Sequence, residues 1–371
     1  MQQESARQAR LARQPGPRRS RGLLVAAYLL LTAAVLADLL TGPQTTVSPV
    51  LASVPVLAGS GTRSVRVPLI AGALAAVAAA LLSLVNPDVA TAVHVAALAA
   101  IVSVTLASAA NVVVVAAREH ELRQVRSVAE AAQRALLRPV PPRVGPLRIA
   151  VRYAAAAAEA RIGGDLYEVL DTRYGVRVLL GDVEGKGLGA VDTAADVLGV
   201  FREAARTEAD LARVAERLDA ALARRPEGGR FVTAVLVGTE PPGSGGADGA
   251  LAGEVVNCGH PAPLLLDRAG RVRALEPASY APPLGLLALT GGRYRAERLS
   301  LRRGDLLLLY TDGLSESRDA DGRFYPVAER LAEAPALGPE ALLDHLLADV
   351  RQYSDGSPTD DSALLAVRRE S

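Results

Sequence analysis

Cysteine, tryptophan and lysine are nearly missing from this chain of 371 residues, which has one Cys, no Trp and a single lysine, Lys186. The lone thiol, Cys258, excludes an internal disulfide and a cysteine-rich zinc site, and it suits a reducing compartment. Aromatics are 3% of the residues, so any core must be assembled from Ala, Leu and Val. Basic residues are almost all arginine, which fits a genome biased toward Arg and Ala codons. The net charge of +1 gives no reason to propose nucleic-acid binding. No Ser/His or Cys/His pairing suggests a nucleophilic enzyme.

Apolar runs, by contrast, are plentiful. After a basic opening segment (1–21, with Arg7, Arg10, Arg13, Arg18, Arg19 and Arg21 against Glu4), they cover Gly22–Leu40, about Thr45–Gly59, Val67–Val85 and Ala90–Ala117. The first, third and fourth reach the ~20 residues that cross a bilayer. The second is short and carries Pro49 and Pro55, as a kinked or incomplete span would. Arg63, Arg66, Arg118 and Arg123 flank one side of these runs, whereas Thr41–Gln44 and Asn86–Asp88 carry no basic residue. Four spans with both ends inside keep every basic loop cytoplasmic, as the positive-inside rule prefers; three would strand one basic flank outside. A cleaved signal peptide competes for Gly22–Leu40 but explains neither its length nor the later spans. Asp38 and His94 fall near predicted span ends; the plainer reading is interfacial, the sharper one a ligand sensor.

Within 118–144 the chain reads as a helical connector. Leu122, Val125, Ala129, Ala132 and Leu136 form a two-heptad seam, fitting either a helix laid on the next domain or a coiled coil pairing two copies through 118–138. Pro139, Pro141, Pro142 and Pro146 end it. The remaining 145–371 alternates expected strands (Leu147–Tyr153, Gly175–Leu180, Phe231–Gly238, Glu254–Asn257, Leu264–Asp267, Asp305–Tyr310, Ala363–Arg368) with helices at Gly187–Ala205, Leu211–Ala223 and Glu340–Arg351. Clustered helices favour an α+β fold over a doubly wound sheet. Pro241–Gly253 reads as an exposed hairpin loop.

Four aspartates in turn-like contexts carry the chemistry. Asp165 lies in Gly163-Gly164-Asp165-Leu166-Tyr167-Glu168, and Asp182 in Gly181-Asp182-Val183-Glu184-Gly185-Lys186-Gly187. Asp312 lies in Tyr310-Thr311-Asp312-Gly313, and Asp360 in Thr359-Asp360-Asp361. Carboxylates at strand ends suit hard cations such as Mg²⁺ or Mn²⁺. Alone, Gly163-Gly164-Asp165, Asp312-Gly313 and Asp360-Asp361 each read as turns, whereas Gly181–Gly187, a buried strand ending in an acid and three glycines, is the stronger signal. Gly-Gly-Asp also resembles the signature of cyclic-dinucleotide synthases, but Leu166-Tyr167 does not continue it. The Gly181–Gly187 loop lacks the spacing and Lys-Ser/Thr ending of a nucleotide-triphosphate loop.

Taken in order, these blocks resemble the SpoIIE-type bacterial serine/threonine phosphatases of the metal-dependent phosphatase 2C-like (PPM) superfamily. The resemblance runs from about Gln133 to Arg369. It rests on Gly163–Glu168, Gly181–Ala190, Asn257-Cys258-Gly259-His260-Pro261-Ala262-Pro263, Pro283-Leu284-Gly285, Gly304–Asp319 and Thr359–Leu365. It implies a β-sandwich flanked by helices, here preceded by an all-α transmembrane bundle.

It further implies two divalent cations, Mn²⁺ or Mg²⁺, bound by Asp165, Asp182, the Val183 carbonyl, Asp312 and Asp360, with Asp182 bridging. Two such ions about 3.5–4 Å apart activate a water and neutralise phosphoryl oxygens. The implied reaction is hydrolysis of phosphoserine or phosphothreonine on a regulatory protein, an anti-sigma-factor antagonist, at the cytoplasmic face of a membrane. Ser315 and Ser317 read as turn residues, Cys258 as a small buried residue, and His260 as a structural residue or a general acid. Arg161 suits a phosphate contact. Glu168 stands where the family often has aspartate, and Glu184 adds a carboxylate beside the site. Those two leave room for an alternative, a phosphatase-fold membrane scaffold with little or no catalysis. A small transporter with a regulatory domain is a third reading, poorly served by spans without paired charges.

Overall fold

The computed structural model describes residues 17–41, 43–154, 163–225, 229–241, 250–334, 337–355 and 361–370. The chain forms two compact units, Met1–Gln124 and Val125–Ser371. In the first, α1 (Pro17–Thr41) is followed by a 3₁₀ turn (Ser48–Ser53) that runs into α2 (Val54–Gly59). Helix α3 (Arg66–Val85) comes next, and α4 (Thr91–Leu136) carries the chain on into the second unit. Among the described residues, Gly22–Thr41, Arg66–Val85 and Thr91–Leu122 are long and apolar enough to cross a bilayer, and Ser48–Gly59 is shorter.

The short segment nevertheless traverses the unit. At one end, Asp38 of α1 accepts from Thr46 Oγ1 (2.8 Å), the Val47 amide (2.5 Å) and Asn86 Nδ2 (2.6 Å), and His94 Nε2 lies 3.2 Å from the Asn86 carbonyl. Further along α4, Ser108 Oγ donates to the Pro55 carbonyl at 3.0 Å. At the far end, Arg63 Nε pairs with Glu119 Oε2 at 3.0 Å. From His94 to Glu119, α4 climbs about 37 Å at 1.5 Å per residue. Val47–Arg63 therefore runs the length of the bundle, with its prolines replacing a continuous helix by a 3₁₀ turn and a short α-helix. Packing inside the unit uses small residues: Ala71, Ala75 and Ala79 are buried at helical spacing, and Gly72 lies against Thr105, where a Cβ would collide. Large apolar side chains such as Leu29, Ile70, Leu81, Leu84 and Leu106 face outward.

The second unit is a sandwich of two antiparallel sheets. One, in the order β1-β2-β11-β10-β7-β8, combines Arg143–Val144, Leu147–Ala154, Ser362–Arg369, Leu306–Tyr310, Leu264–Leu266 and Val272–Ala274. The other, β3-β4-β5-β6-β9, combines Asp165–Thr172, Gly175–Val183, Val232–Thr239, Leu251–Cys258 and Glu297–Leu301. Val176, Val178 and Leu180 of β4 and Leu307 and Leu309 of β10 fill the space between the sheets. The alternate residues Leu179, Leu306 and Leu308 face helices instead, which is why these strands are apolar on both sides. Helices α5 (Leu188–Thr207) and α6 (Leu211–Ala223) cover the five-stranded sheet. Two short helices, α7 (Leu287–Thr290) and α8 (Asp312–Ser315), sit in connections; α9 (Val327–Ala332) and α10 (Pro339–Tyr353) cover the six-stranded sheet. This is the α+β sandwich flanked by helices.

The expected strands and helices are present with ends shifted by a few residues, and four strands come in addition: β1, β3, β8 and β9. The connector seam is used within the chain at its end, where Ala132 and Leu136 pack on Val191 of α5. Most of the expected Pro241–Gly253 loop falls outside the described residues, between the paired strands β5 and β6.

Candidate metal centre

Asp165 opens β3, Asp182 closes β4, and the antiparallel register sets them opposite each other. From the other sheet, β10 ends at Tyr310 and delivers Thr311 and then Asp312. Thr311 joins the two sheets at this edge. Its Oγ1 donates to Asp165 Oδ2 at 3.0 Å and accepts from the Ala363 amide of β11 at 2.9 Å. Asp165 is 3% exposed, and burial pushes its carboxyl well above the usual range. The neighbouring charge of Asp182 pushes it further, the Thr311 hydroxyl opposes the rise, and Asp361 and Asp312 add smaller repulsions. Asp165, Asp182 and Asp312 thus meet at one end of the sandwich. Asp360 lies outside the described residues, as does Arg161; the adjoining Asp361 is buried there.

The two glycines before Asp165 allow this convergence. A Cβ on Gly163 would sit 1.8 Å from Asp361 Oδ2, and one on Gly164 would sit 2.3 Å from the Val183 carbonyl oxygen. After β4 the chain turns through Gly185 and Gly187, with φ of +83° and +88°, a left-handed conformation that other residues rarely adopt. Arg230 lies over this loop and donates from Nη1 to the Glu184 carbonyl at 2.6 Å, while the Glu184 side chain is exposed.

Among the described residues, no three His, Cys, Asp or Glu side chains close around a single point. The carboxylates face one another within electrostatic reach but do not form a finished cage. Their chemistry still fits divalent cations. The donors are hard oxygens, the pocket of backbone is kept open by glycines, and the mutual repulsion at Asp165 is what a cation would relieve. Asp165, Asp182, the Val183 carbonyl and Asp312 are the described groups that could hold such ions.

Glu168 is placed elsewhere. Three residues along β3 from Asp165, it faces the helical side, 4% exposed, and its Oε2 pairs with Arg202 Nε of α5 at 2.5 Å. Arg202 Nη2 in turn donates to the Leu136 carbonyl at the end of α4, at 3.0 Å. His260 is buried beside the site, its Nδ1 3.1 Å from Thr233 Oγ1, and Thr233 is the register partner of Asp182. Burial lowers its pKa to about 4, which favours the neutral imidazole over the imidazolium at neutral pH. Asn257 brackets it, donating from Nδ2 to the His260 carbonyl and accepting from the His260 amide. Ser315 and Ser317 donate to the carbonyls of Asp312 and Gly313, as turn residues do. Cys258 is fully buried in the layer beneath α5 and α6.

Several working residues were not assigned from sequence. Thr311 was in view within Tyr310-Thr311-Asp312-Gly313, but nothing local marks it as the tie between sheets. Gln133 is buried, and its Nε2 donates to Tyr153 Oη at 3.0 Å and to the Gly163 carbonyl at 3.3 Å. Tyr153 is hydrogen-bonded to Asp361, and burial raises its pKa above the usual phenol value. Such long-range pairings carry no sequence signal.

Compared with known proteins, residues 172–370 match the family described as "Stage II sporulation protein E (SpoIIE)". The match starts after the Gly163–Glu168 block. The SiaA-PP2C domain of Pseudomonas aeruginosa shares the fold at TM-score 0.54 and 17% identity, over 68% of this chain and 98% of that one. The RsbU and RsbW domains of a Mycobacterium tuberculosis protein align at 26% identity and TM-score 0.49, over 60% of each chain. The phosphatase domain with part of the regulatory domain of SpoIIE from Bacillus subtilis aligns at 18% identity and TM-score 0.47, over 60% of this chain and 63% of that one.

Proposed function

The chain belongs to the SpoIIE family, and on that premise we propose that it is a membrane-anchored, Mn²⁺- or Mg²⁺-dependent protein serine/threonine phosphatase. One observation carries the reading: Asp165, Asp182 and Asp312, far apart in sequence, converge at one edge of a PP2C-type sandwich, where Asp182 and Asp312 repel the buried charge of Asp165. Two divalent cations bound there would supply an activated water and neutralise the phosphoryl oxygens. Thr311 orients Asp165, the Gly163-Gly164 pair keeps the backbone clear, and His260 stays neutral behind Thr233. The substrate in this reading is a phosphorylated anti-sigma-factor antagonist in a partner-switching pathway, as the family resemblance suggests.

A manganese titration of the full chain with a phosphoserine peptide is the test. Asp182→Asn and Asp312→Asn should each abolish hydrolysis with the fold retained; unchanged activity in both would sink the assignment. The scaffold reading gains from the open arrangement of the described carboxylates, and absence of any manganese-dependent turnover would favour it. For the membrane unit, the proposal is four passes with both ends cytoplasmic. It is supported by Arg63 and Glu119 meeting at the end opposite Asp38 and Asn86. A cysteine introduced at Gln44 should react with a membrane-impermeant thiol reagent outside intact cells, and one at Ser64 only after permeabilisation. Pairing of two copies would use the part of 118–138 that precedes Ala132. One residue inserted after Arg126 should alter the activity of the full chain in membranes; activity equal to that of the uninterrupted chain would argue against coupling through the connector.

A further inference from the structure

The edge strands β8 and β9 lie on the same side of the sandwich, one from each sheet, and a cavity of about 150 Å³ opens between them. It opens beside a broader hollow of about 630 Å³ that shares Ser279, Ala281 and Arg295. Arg273, Arg295 and Arg298 line the first cavity and Arg293 the second. All four are exposed, and none of their guanidinium groups makes an ion pair or hydrogen bond with a described residue. The two carboxylates lining the cavity are engaged with neutral partners. Glu297 accepts from the Ala278 amide at 2.5 Å, and Glu276 from Tyr280 Oη at 3.0 Å. Some arginines elsewhere on this unit, Arg148, Arg152, Arg217 and Arg225, are tied to acids, whereas others, such as Arg224 and Arg268, stand singly with no ion pair among the described residues; what sets the crevice apart is that four such groups gather at one place. Four guanidiniums around one crevice, without an acidic partner among the described residues, form a surface suited to an external anion.

The crevice is joined to the metal centre. Asn257 lines it and also brackets His260, which rests on Thr233 beside Asp182. Across the sheet, Asn257 at the near side of the crevice lies two strands from β4 and two residues along the register from the level of Asp182, roughly 12 Å at 4.8 Å per strand, and β9 lies one strand further, so about five residues of extended chain reach the near part of the crevice. The rim carries the exposed apolar side chains Tyr280 and Leu289, 78% and 82% exposed, the kind of residue that anchors a protein partner.

We propose that this crevice docks an acidic segment of the phosphoprotein substrate, about five residues from the phosphorylated side chain; the proposal rests on the phosphatase reading. Charge complementarity selects an acidic polypeptide, and the spacing places it on the same chain as the phosphate. The test uses the full-length protein in phosphatidylcholine nanodiscs with manganese. Its probes are phosphoserine peptides carrying four glutamates, or four glutamines, starting five residues to either side of the phosphoserine. Binding is read by fluorescence anisotropy and turnover by phosphate release, with p-nitrophenyl phosphate as a substrate too small to reach the crevice.

Wild type should prefer a glutamate peptide about tenfold in kcat/KM, through KM, and this preference should fade at high salt. The triple variant Arg273→Gln, Arg295→Gln, Arg298→Gln should lose the preference and still turn over p-nitrophenyl phosphate as wild type does. Equal handling of glutamate and glutamine peptides by wild type, or a preference that survives in the triple variant, would overturn the proposal. So would competition for the crevice by phosphatidylglycerol nanodiscs, which would mark it as a headgroup site. If no substrate is hydrolysed, the phosphatase reading fails on its own, and anisotropy still decides whether the crevice prefers glutamate.

Discussion

Replacing Arg202 by methionine should destabilise the second unit while leaving cation affinity unchanged. The side chains of Glu168 and Arg202 are 5% and 19% exposed, so water solvates the pair poorly. Arg202→Met strands the Glu168 carboxylate without its partner, at a cost of about 3 kcal/mol. It also leaves the Leu136 carbonyl without its donor, about 1 kcal/mol more. For a unit of this size each kcal/mol moves Tm by about 2–4 °C, so a fall of about 10 °C is expected. Glu168→Gln keeps a neutral acceptor for Arg202 and should cost about 1–2 kcal/mol. The double variant Arg202→Met, Glu168→Leu replaces the pair with apolar groups and should recover most of the loss.

The chain supplies its own reporter for this cycle. It has no tryptophan, and its single cysteine, Cys258, is buried in the layer between α5, α6 and the five-stranded sheet. A thiol-reactive dye that fluoresces on conjugation therefore reads unfolding of this unit and nothing else in the chain. A melt of Arg202→Met within 1–2 °C of wild type would refute the reasoning (about 0.5 kcal/mol at the scale above). So would a double variant no more stable than the single one. A Glu168→Gln protein with an unchanged melt but weaker manganese saturation would place Glu168 at the cations after all.

Three further outcomes follow from the same geometry. His260 is neutral when folded, with its pKa lowered to about 4 against about 6.5 unfolded, so the unfolded chain binds the extra proton between those values. Stability should be full above pH 6.5 and fall by about 3 kcal/mol as pH drops to 4, and His260→Gln should flatten that part of the melt-versus-pH curve. Gly164→Ala puts a methyl against the backbone oxygen of Val183, which no side-chain rotation relieves; hydrolysis should drop at least a hundredfold, the order expected of a small misplacement of reacting groups, with a lower melt. Asp165→Asn should abolish metal-dependent hydrolysis yet raise the melting temperature of the metal-free protein at pH 8. Burial and the neighbouring Asp182 disfavour the carboxylate form there, so a neutral amide removes a cost the fold otherwise carries, and a lower melt would contradict that account.

Legibility in the sequence followed local consistency. Strands such as β4, β10 and β11 are apolar, bounded by glycine or charge, and buried on both faces, and each was readable to within a few residues. The aspartates were readable as motifs because glycines and turns surround them. Their convergence was not, since it depends on the register of β3 with β4 and on Thr311 crossing to the other sheet. In the membrane unit, hydropathy located the apolar runs. The route of Val47–Arg63 along α4 emerged only from the pairs it makes at its two ends.

The instructive omission is β3 itself, which holds Asp165. Its sequence, Asp165-Leu166-Tyr167-Glu168-Val169-Leu170-Asp171-Thr172, carries three acids and follows two glycines, so by pattern it reads as a turn. In the structure Asp165 and Glu168 are both buried, each with a dedicated partner from another element: Thr311 from the opposite sheet, Arg202 from α5. A strand can hold buried acids only if distant residues pay for them, and those residues leave no trace in an eight-residue window. The misreading is thus a consequence of function. The strand breaks the local rules at two positions, Asp165 at the proposed cation site and Glu168 paired with Arg202 toward the end of α4. Because Asp165 and Glu168 are three residues apart, they face opposite sides of the sheet, so a single strand separates the acid proposed for chemistry from the acid paired with Arg202.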